Sequence, residues 1–413
     1  MAGPRDGKMD RREFVRRSAF GALGAGLAAE TLGHALGQQE APPASPVRRG
    51  EMVYRRLGRT NLMVSELGVG GSPNPEPAVF AQALDRGMNL VDSSEAYPGS
   101  EERIAQVVAG RRDQVVICTK CYVPREEDVT GAIVAACEAA LGRLKTDHID
   151  IWCLHGLGDA APFLTDEARA AFAQLGAAGK IRFAGASCHS TTAAAELVGS
   201  GAADVVLLAL NVFSGNTVRK ADVDAGKVYD NWLADSGLQA VLDQARAQDV
   251  GLIAIKTMAG GALQKLDAYQ PAGTTLAQAK LKWVLSQPAI SAALSEVLSY
   301  DILEENLGAV GQTLTPQEQA LLEEHVRRES ARVCRMCRAC EQVCPAHLPI
   351  PDIVRAVTYH DRQGKYARAR TSYRRHLAAS GRPRCTSCGA CARACPHGLR
   401  LPTVVQYAER VLG

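Results

Sequence analysis

The 413-residue chain is 46% hydrophobic and 22% charged, proportions of a globular protein with ample material for a core. Its length suits one large domain with an addition, or two to three domains. A net charge of +3 gives no electrostatic case for a nucleic-acid partner, and thirteen cysteines in a chain long enough to build its own core are not explained by a disulfide framework.

At the N-terminus, DRREFVR places paired Arg11 and Arg12 ahead of Phe14 and further basic Arg16 and Arg17, followed by the modestly apolar stretch SAFGALGAGLAAETLGHALG. Gly21, Gly24, Gly26, Glu30 and His34 make that stretch a poor membrane span. The combination resembles a twin-arginine export signal over residues 1–37, with cleavage before Gln38. A disordered basic tail is the plain alternative. The resemblance implies recognition by the twin-arginine export machinery and a periplasmic or other extracytoplasmic location. Residues 38–51, with QQEAPPASPVRRG, are proline-rich and aperiodic, which predicts an extended linker.

From residue 52 to 328 short β-branched runs alternate with longer alanine-rich amphipathic stretches. Strands are predicted near 64–71, 88–92, 114–120, 148–155, 181–187, 204–211, 250–256 and 289–294, with helical patterns such as 126–143, 165–178, 234–248 and 274–286 between them. Eight strand–helix units predict an α/β fold, a parallel (β/α)8 TIM barrel, with a doubly wound sheet as the runner-up. Asp92, Lys120 and His155 end the second, third and fourth strands, and Tyr97 lies just past Asp92. In a barrel these ends share one mouth. A buried lysine there costs on the order of several kcal/mol unless a carboxylate accompanies it, and Asp92 is the expected partner. Lys120 is then expected to draw the Tyr97 pKa down from about 10 toward the working range of a general acid. Cys118 and Cys153, each two residues before a strand-end residue, should face inward as core, while Cys121 should face the other way.

The segments MNLVDSSEAYPGSEE, VVICTK and DIWCLHGL resemble the motifs of the aldo-keto reductase family, whose Asp, Tyr, Lys and His tetrad falls on Asp92, Tyr97, Lys120 and His155. GRTNLMVSELGVGG, GKIRFAGAS, LKWVLSQPAI and LEEN extend the likeness over about two thirds of the chain. It implies reduction of a small carbonyl substrate, or oxidation of an alcohol, with Tyr97 as proton donor and His155 orienting the oxygen. It also implies NAD(P)H held by Ser187, Asn211, Gly260, Gly261 and Asn306. Several positions depart from the family pattern: Leu210 replaces an aromatic, Leu207 a glutamine, and Glu296 and Leu298 a glycine and an arginine. A carboxylate at Glu296 would repel a 2′-phosphate, which favours NAD(H), or no nicotinamide at all.

Residues 331–413 write one cysteine pattern twice: CRMCRACEQVCP from Cys334 and CTSCGACARACP from Cys385, each C-x2-C-x2-C-x3-C-P. Three closely spaced thiolates wrap three corners of an iron–sulfur cube and the fourth serves the other, so two [4Fe–4S] clusters are predicted. The expected groups are Cys334, Cys337, Cys340 with Cys395, and Cys385, Cys388, Cys391 with Cys344. Zinc prefers two separated C-x2-C pairs. The intervening segment predicts two helices joined near Gln363 and Gly364, resembling an α-helical ferredoxin. Its many arginines suit a solvated face, one that offsets the negative charge of the thiolate-bound clusters, or one that docks an acidic electron carrier. Together these features resemble the cluster-bearing branch of the family. They imply an exported oxidoreductase with an electron-transfer partner, or alternatively an electron-transfer protein whose barrel is a scaffold.

Overall fold

The computed structural model describes residues 46–72, 75–124, 126–214, 237–259, 273–329, 332–381 and 384–413. The export signal and the Gly260–Gly261 pair lie outside them.

The described chain enters through three short antiparallel strands, β1 (Val47–Arg49), β2 (Met52–Arg56) and β3 (Met63–Ser65). β1 lies within the stretch expected to be linker. Gly50, with φ of +59°, supplies the tight turn that lets Arg49 pair with Met52. The predicted strand 64–71 also divides here, because Glu66 turns aside to bind Arg55 and separates β3 from the first barrel strand.

Eight parallel strands follow: β4 (Leu67–Val69), β5 (Leu90–Asp92), β6 (Val116–Cys121), β7 (Ile149–Leu157), β8 (Ile181–Cys188), β9 (Val205–Ala209), β10 (Gly251–Ile255) and β11 (Ile290–Ser295). β11 pairs back onto β4, so the sheet closes and the doubly wound alternative is excluded. Between and after them run α1 (Pro77–Asp85), α2 (Ser100–Val108), α3 (Val129–Leu144), α4 (Asp166–Ala177), α5 (Thr191–Gly199), α6 (Leu238–Ala247), α7 (Leu276–Leu285), α8 (Tyr300–Leu307) and α9 (Pro316–Glu329). Asp128, Thr165, Ser190, Thr275 and Ser299 cap their helices by accepting a first-turn N–H, which fixes where each crossover starts.

Strand alternation sorts the core into two layers. Leu90, Cys118, Ile151, Cys153, Leu207 and Ile253 fill the barrel, and Leu57, Leu62 and Val64 of the entry sheet close its floor. Trp152, Ile117, Cys121 and Leu154 face outward against the helices. Cys118 and Cys153 stand 3.8 Å apart inside, and their mutual contact together with burial pushes the Cys118 thiol well up, which suits inert core sulfur. The inward and outward cysteines fall as the alternation predicted.

After α9 the chain forms a small helical domain with its own core: α10 (Ala339–Gln342), α11 (Ile350–Asp361), α12 (Tyr366–Ala379), α13 (Ala390–Ala394) and α14 (Leu401–Leu412). Gly364, at φ of +62°, turns α11 into α12 where the sequence placed the joint. The cysteine repeat is also a backbone repeat: Met336, Arg338 and His347 recur as Ser387, Gly389 and Gly398, all at positive φ. No described helix is long and apolar enough to cross a membrane.

Candidate functional site

The mouth at the C-terminal ends of the barrel strands brings Asp92, Tyr97, Lys120 and His155 together. β5 and β6 are adjacent and in register, so Asp92 and Lys120 reach one another and form a buried ion pair; the ammonium also donates to the Ser93 carbonyl at 2.8 Å. Burial works against the charged lysine, but Asp92 outweighs it and holds Lys120 protonated. The close approach depends on Gly71, whose amide donates to Asp92 and where a β-carbon would collide with the Asp92 carbonyl. Gly71→Ala is accordingly expected to destabilise the barrel by about 1–3 kcal/mol and to displace Asp92, seen as a lower melting temperature and a weaker Tyr97-dependent rate.

His155 lies near the C-terminal end of β7 with its Nδ1 2.7 Å from Ser94 Oγ, its ring edge-on to Tyr97 at 5.7 Å and stacked on Tyr122 at 5.2 Å. Burial and the nearby Lys120 and Arg368 charges lower its pKa well below the ordinary value, so the ring is neutral. The Ser94 hydroxyl, which also reaches the Lys120 carbonyl at 3.2 Å, ties the ring to β6 and fixes its orientation.

Tyr97 departs from expectation. Burial raises its phenol pKa, and the strongest opposing charge is not Lys120 but Arg368 of the C-terminal domain. Arg368 hydrogen-bonds the phenol, and its guanidinium carbon stands 4.9 Å from the ring centre. Among the described residues, contacts with the C-terminal domain recur around the whole mouth. Past the eight barrel strands in turn, Ser72 accepts from Lys365, Tyr97 meets Arg368, Tyr122 meets Arg375, and Gly158 lies against Arg338. On the other half of the ring, His189 meets Arg355, Phe213 meets Arg335, Lys256 meets Tyr359, and Glu296 pairs with Lys365. The cysteine domain therefore lies over the mouth. The basic segment predicted as a solvated or carrier-docking face turns these cations into the barrel instead.

The residues expected to hold a nicotinamide are engaged within the protein. Ser187 Oγ accepts from the Gly156 amide at 2.8 Å; Asn211 bridges the Lys256 carbonyl and the Phe213 amide; Asn306 donates to Ser295 Oγ and the Glu296 carbonyl. Gly260 and Gly261 lie outside the described residues. The cysteines fall in two sets. Cys340 senses the charges of Cys334, Cys337 and Cys395, while Cys344, Cys385, Cys388 and Cys391 line one pocket. In each repeat the amide two residues on donates to the first sulfur at 3.4 Å, from Met336 to Cys334 and from Ser387 to Cys385. Among the described residues no three Cys, His, Asp or Glu side chains converge on one ion position.

The aldo/keto reductase family model matches residues 72–272, and a 4Fe-4S dicluster domain matches residues 333–399. The chain carries an aldo/keto reductase domain. It is thereby an oxidoreductase of that type, joined to a 4Fe-4S dicluster domain. The uncharacterized oxidoreductase YqkF of Bacillus subtilis is 23% identical over 303 residues, covering 67% of this chain and 98% of its own. L-glyceraldehyde 3-phosphate reductase of Escherichia coli is 23% identical, covering 68% and 95%. Among solved structures, the holo form of an aldo-keto reductase from Bacillus halodurans matches with a TM-score of 0.52 at 21% identity, covering 66% of this chain and 95% of its own. These likenesses cover the reductase domain and leave the cysteine domain aside.

Sequence reasoning missed Ser94, Tyr122, Lys256, Tyr359 and Arg368. Lys256 had a signal: it follows β10 as Lys120 and His155 close their strands. Arg368 had none, because its partners lie in another domain.

Proposed function

We propose that the reductase domain interconverts a small carbonyl compound and its alcohol, and that it exchanges electrons with two [4Fe–4S] clusters which serve an external electron-transfer partner. The observation that carries this is the convergence of Asp92, Tyr97, Lys120 and His155 in one mouth directly beneath the cysteine domain. In this reading Tyr97 gives a proton to the carbonyl oxygen, the His155 ring orients that oxygen, and Lys120, held by Asp92, stabilises the tyrosinate left behind. Reducing the carbonyl takes two electrons and two protons: Tyr97 gives the proton that ends on oxygen, and water gives the one that ends on carbon. Cys334, Cys337, Cys340 and Cys395 would hold one cluster and Cys344, Cys385, Cys388 and Cys391 the other, and the two would supply one electron each.

A nicotinamide would supply both electrons as hydride, and the aldo-keto reductase of Klebsiella pneumoniae solved in complex with NADPH shares this barrel fold. Here the fit is poor: Ser187, Asn211 and Asn306 already have protein partners, and Lys365 occupies Glu296. No step is routed through it. The same observation favours the second reading, an electron-transfer protein whose barrel is a scaffold.

Anaerobically purified protein separates the two. Methylglyoxal and L-glyceraldehyde 3-phosphate are suitable test carbonyls, because Escherichia coli relatives include a methylglyoxal reductase and an L-glyceraldehyde 3-phosphate reductase. Turnover with NADH or NADPH, or with a reduced viologen alone, lost in Tyr97→Phe, supports the oxidoreductase; no turnover with any donor sinks it in favour of the scaffold. Iron is expected at about eight atoms per chain. Cys334→Ser and Cys395→Ser should remove the same cluster signal, so the double variant loses no more than either alone. Additive losses would overturn that grouping. We further propose export by the twin-arginine route; replacing Arg11 and Arg12 with lysines should then retain the protein in the cytoplasm.

A further inference from the structure

Lys256 and Arg368 present an unusual balance of charge. Both lie at the covered mouth, and among the described residues neither has a carboxylate partner. Lys256 donates to the Tyr359 hydroxyl at 3.2 Å and Arg368 approaches the same oxygen at 3.4 Å, with the guanidinium carbon 4.4 Å from the ring centre. Tyr359 is 5% exposed. Two cations taken out of water around one acidic hydroxyl strongly favour its ionised form. The backbone supports the same arrangement: Lys256 sits at φ of +59°, a region a lysine seldom adopts, and its carbonyl is gripped by Asn211.

We propose that Tyr359 is a second ionisable phenol of the barrel mouth, supplied by the iron–sulfur domain: as the counter-anion of Lys256 and Arg368, it positions Arg368 on the Tyr97 oxygen. Tyr359 and Arg368 are thus positioning residues for Tyr97, and the reductase domain is incomplete without the domain that covers it. The activity part of this rests on Tyr97 being the proton donor; the ionisation of Tyr359 does not.

The groups facing Tyr359 are mainly cationic. Lys256 comes from the end of β10, Arg368 from α12 and Arg355 from its own helix, where Arg355 is shared between Asp352 and His189. Lys365 donates its backbone amide to the Tyr359 carbonyl while its ammonium goes to Glu296, and Tyr97 lies beyond Arg368. Burial alone would push the Tyr359 phenol up, but Lys256, Arg368 and Arg355 outweigh it and bring it down to about 6. Above that pH the phenolate holds Arg368. Below it the tyrosine is neutral, and the hold is lost.

The test is a near-ultraviolet phenolate titration of the anaerobic holoprotein between about pH 5 and pH 8, a window in which an ordinary tyrosine stays protonated. One phenol should ionise near pH 6 in the wild type and in Tyr97→Phe, and that step should be absent in Tyr359→Phe. Lys256→Met should move it up by a pH unit or more, and this variant carries the test should Tyr359→Phe lose its clusters. The absence of any step in the wild type, or its survival in Tyr359→Phe, overturns the proposal. Where a carbonyl is turned over, Tyr359→Phe and Arg368→Met should each lower kcat about tenfold, and Arg368→Met should raise the apparent pKa assigned to Tyr97. Unchanged pH profiles would reject the positioning role, and absence of turnover would leave the spectroscopic outcome decisive by itself.

Discussion

Tyr97→Phe is expected to lower carbonyl turnover by about 10²–10⁴-fold, the usual contribution of a positioned general acid, with iron content unchanged. Phenylalanine keeps the edge contact with His155 and the guanidinium of Arg368 over its ring, so the substitution removes the hydroxyl and its hydrogen bond from Arg368, a modest cost in melting temperature. Initial rates measured beside an iron assay decide the matter. A loss smaller than tenfold would mean that the proton comes from elsewhere, with the neutral His155 as the first candidate.

Lys120→Met should be the most destabilising single change at the site. It leaves Asp92 buried with its main counter-charge gone, a loss of about 3–5 kcal/mol when one member of a buried pair is removed. The penalty belongs to the stranded carboxylate rather than to the missing lysine. Asp92→Leu combined with Lys120→Met should therefore recover most of the melting temperature, while neither variant recovers activity. Anaerobic thermal melts of the two singles and the double form the necessary cycle, and a double variant no better than Lys120→Met would refute the account.

Much of this molecule was legible because its signals are local. Strand periodicity located all eight barrel strands, since a buried parallel strand must be a short apolar run between helical stretches. Strand ends located the tetrad candidates, because a closed parallel sheet sends all its C-terminal ends to one mouth. Gly364 marked the α11–α12 joint through its positive φ. The errors were equally physical. β1 escaped notice because three residues in a proline-rich context carry no periodicity until β2 pairs with them. The Tyr97 expectation failed because it counted the lysine on the neighbouring strand and not the burial of the phenol, which raises its pKa against both Arg368 and Lys120.

The amino-acid sequence by itself determined the units: an alternating strand–helix region, a twice-written cysteine pattern, and four strand-end residues of the right chemistry in the right order. These follow from spacing, and spacing survives without coordinates. Only the tertiary structure decided where the basic helices of the cysteine domain point. An arginine-rich helix face looks the same in sequence whether it meets water or another domain, because the cost of burying it is settled by partners remote in the chain. Here those partners are Tyr97, Tyr122, His189 and Glu296, which turn an apparent solvent face into the roof of the barrel mouth.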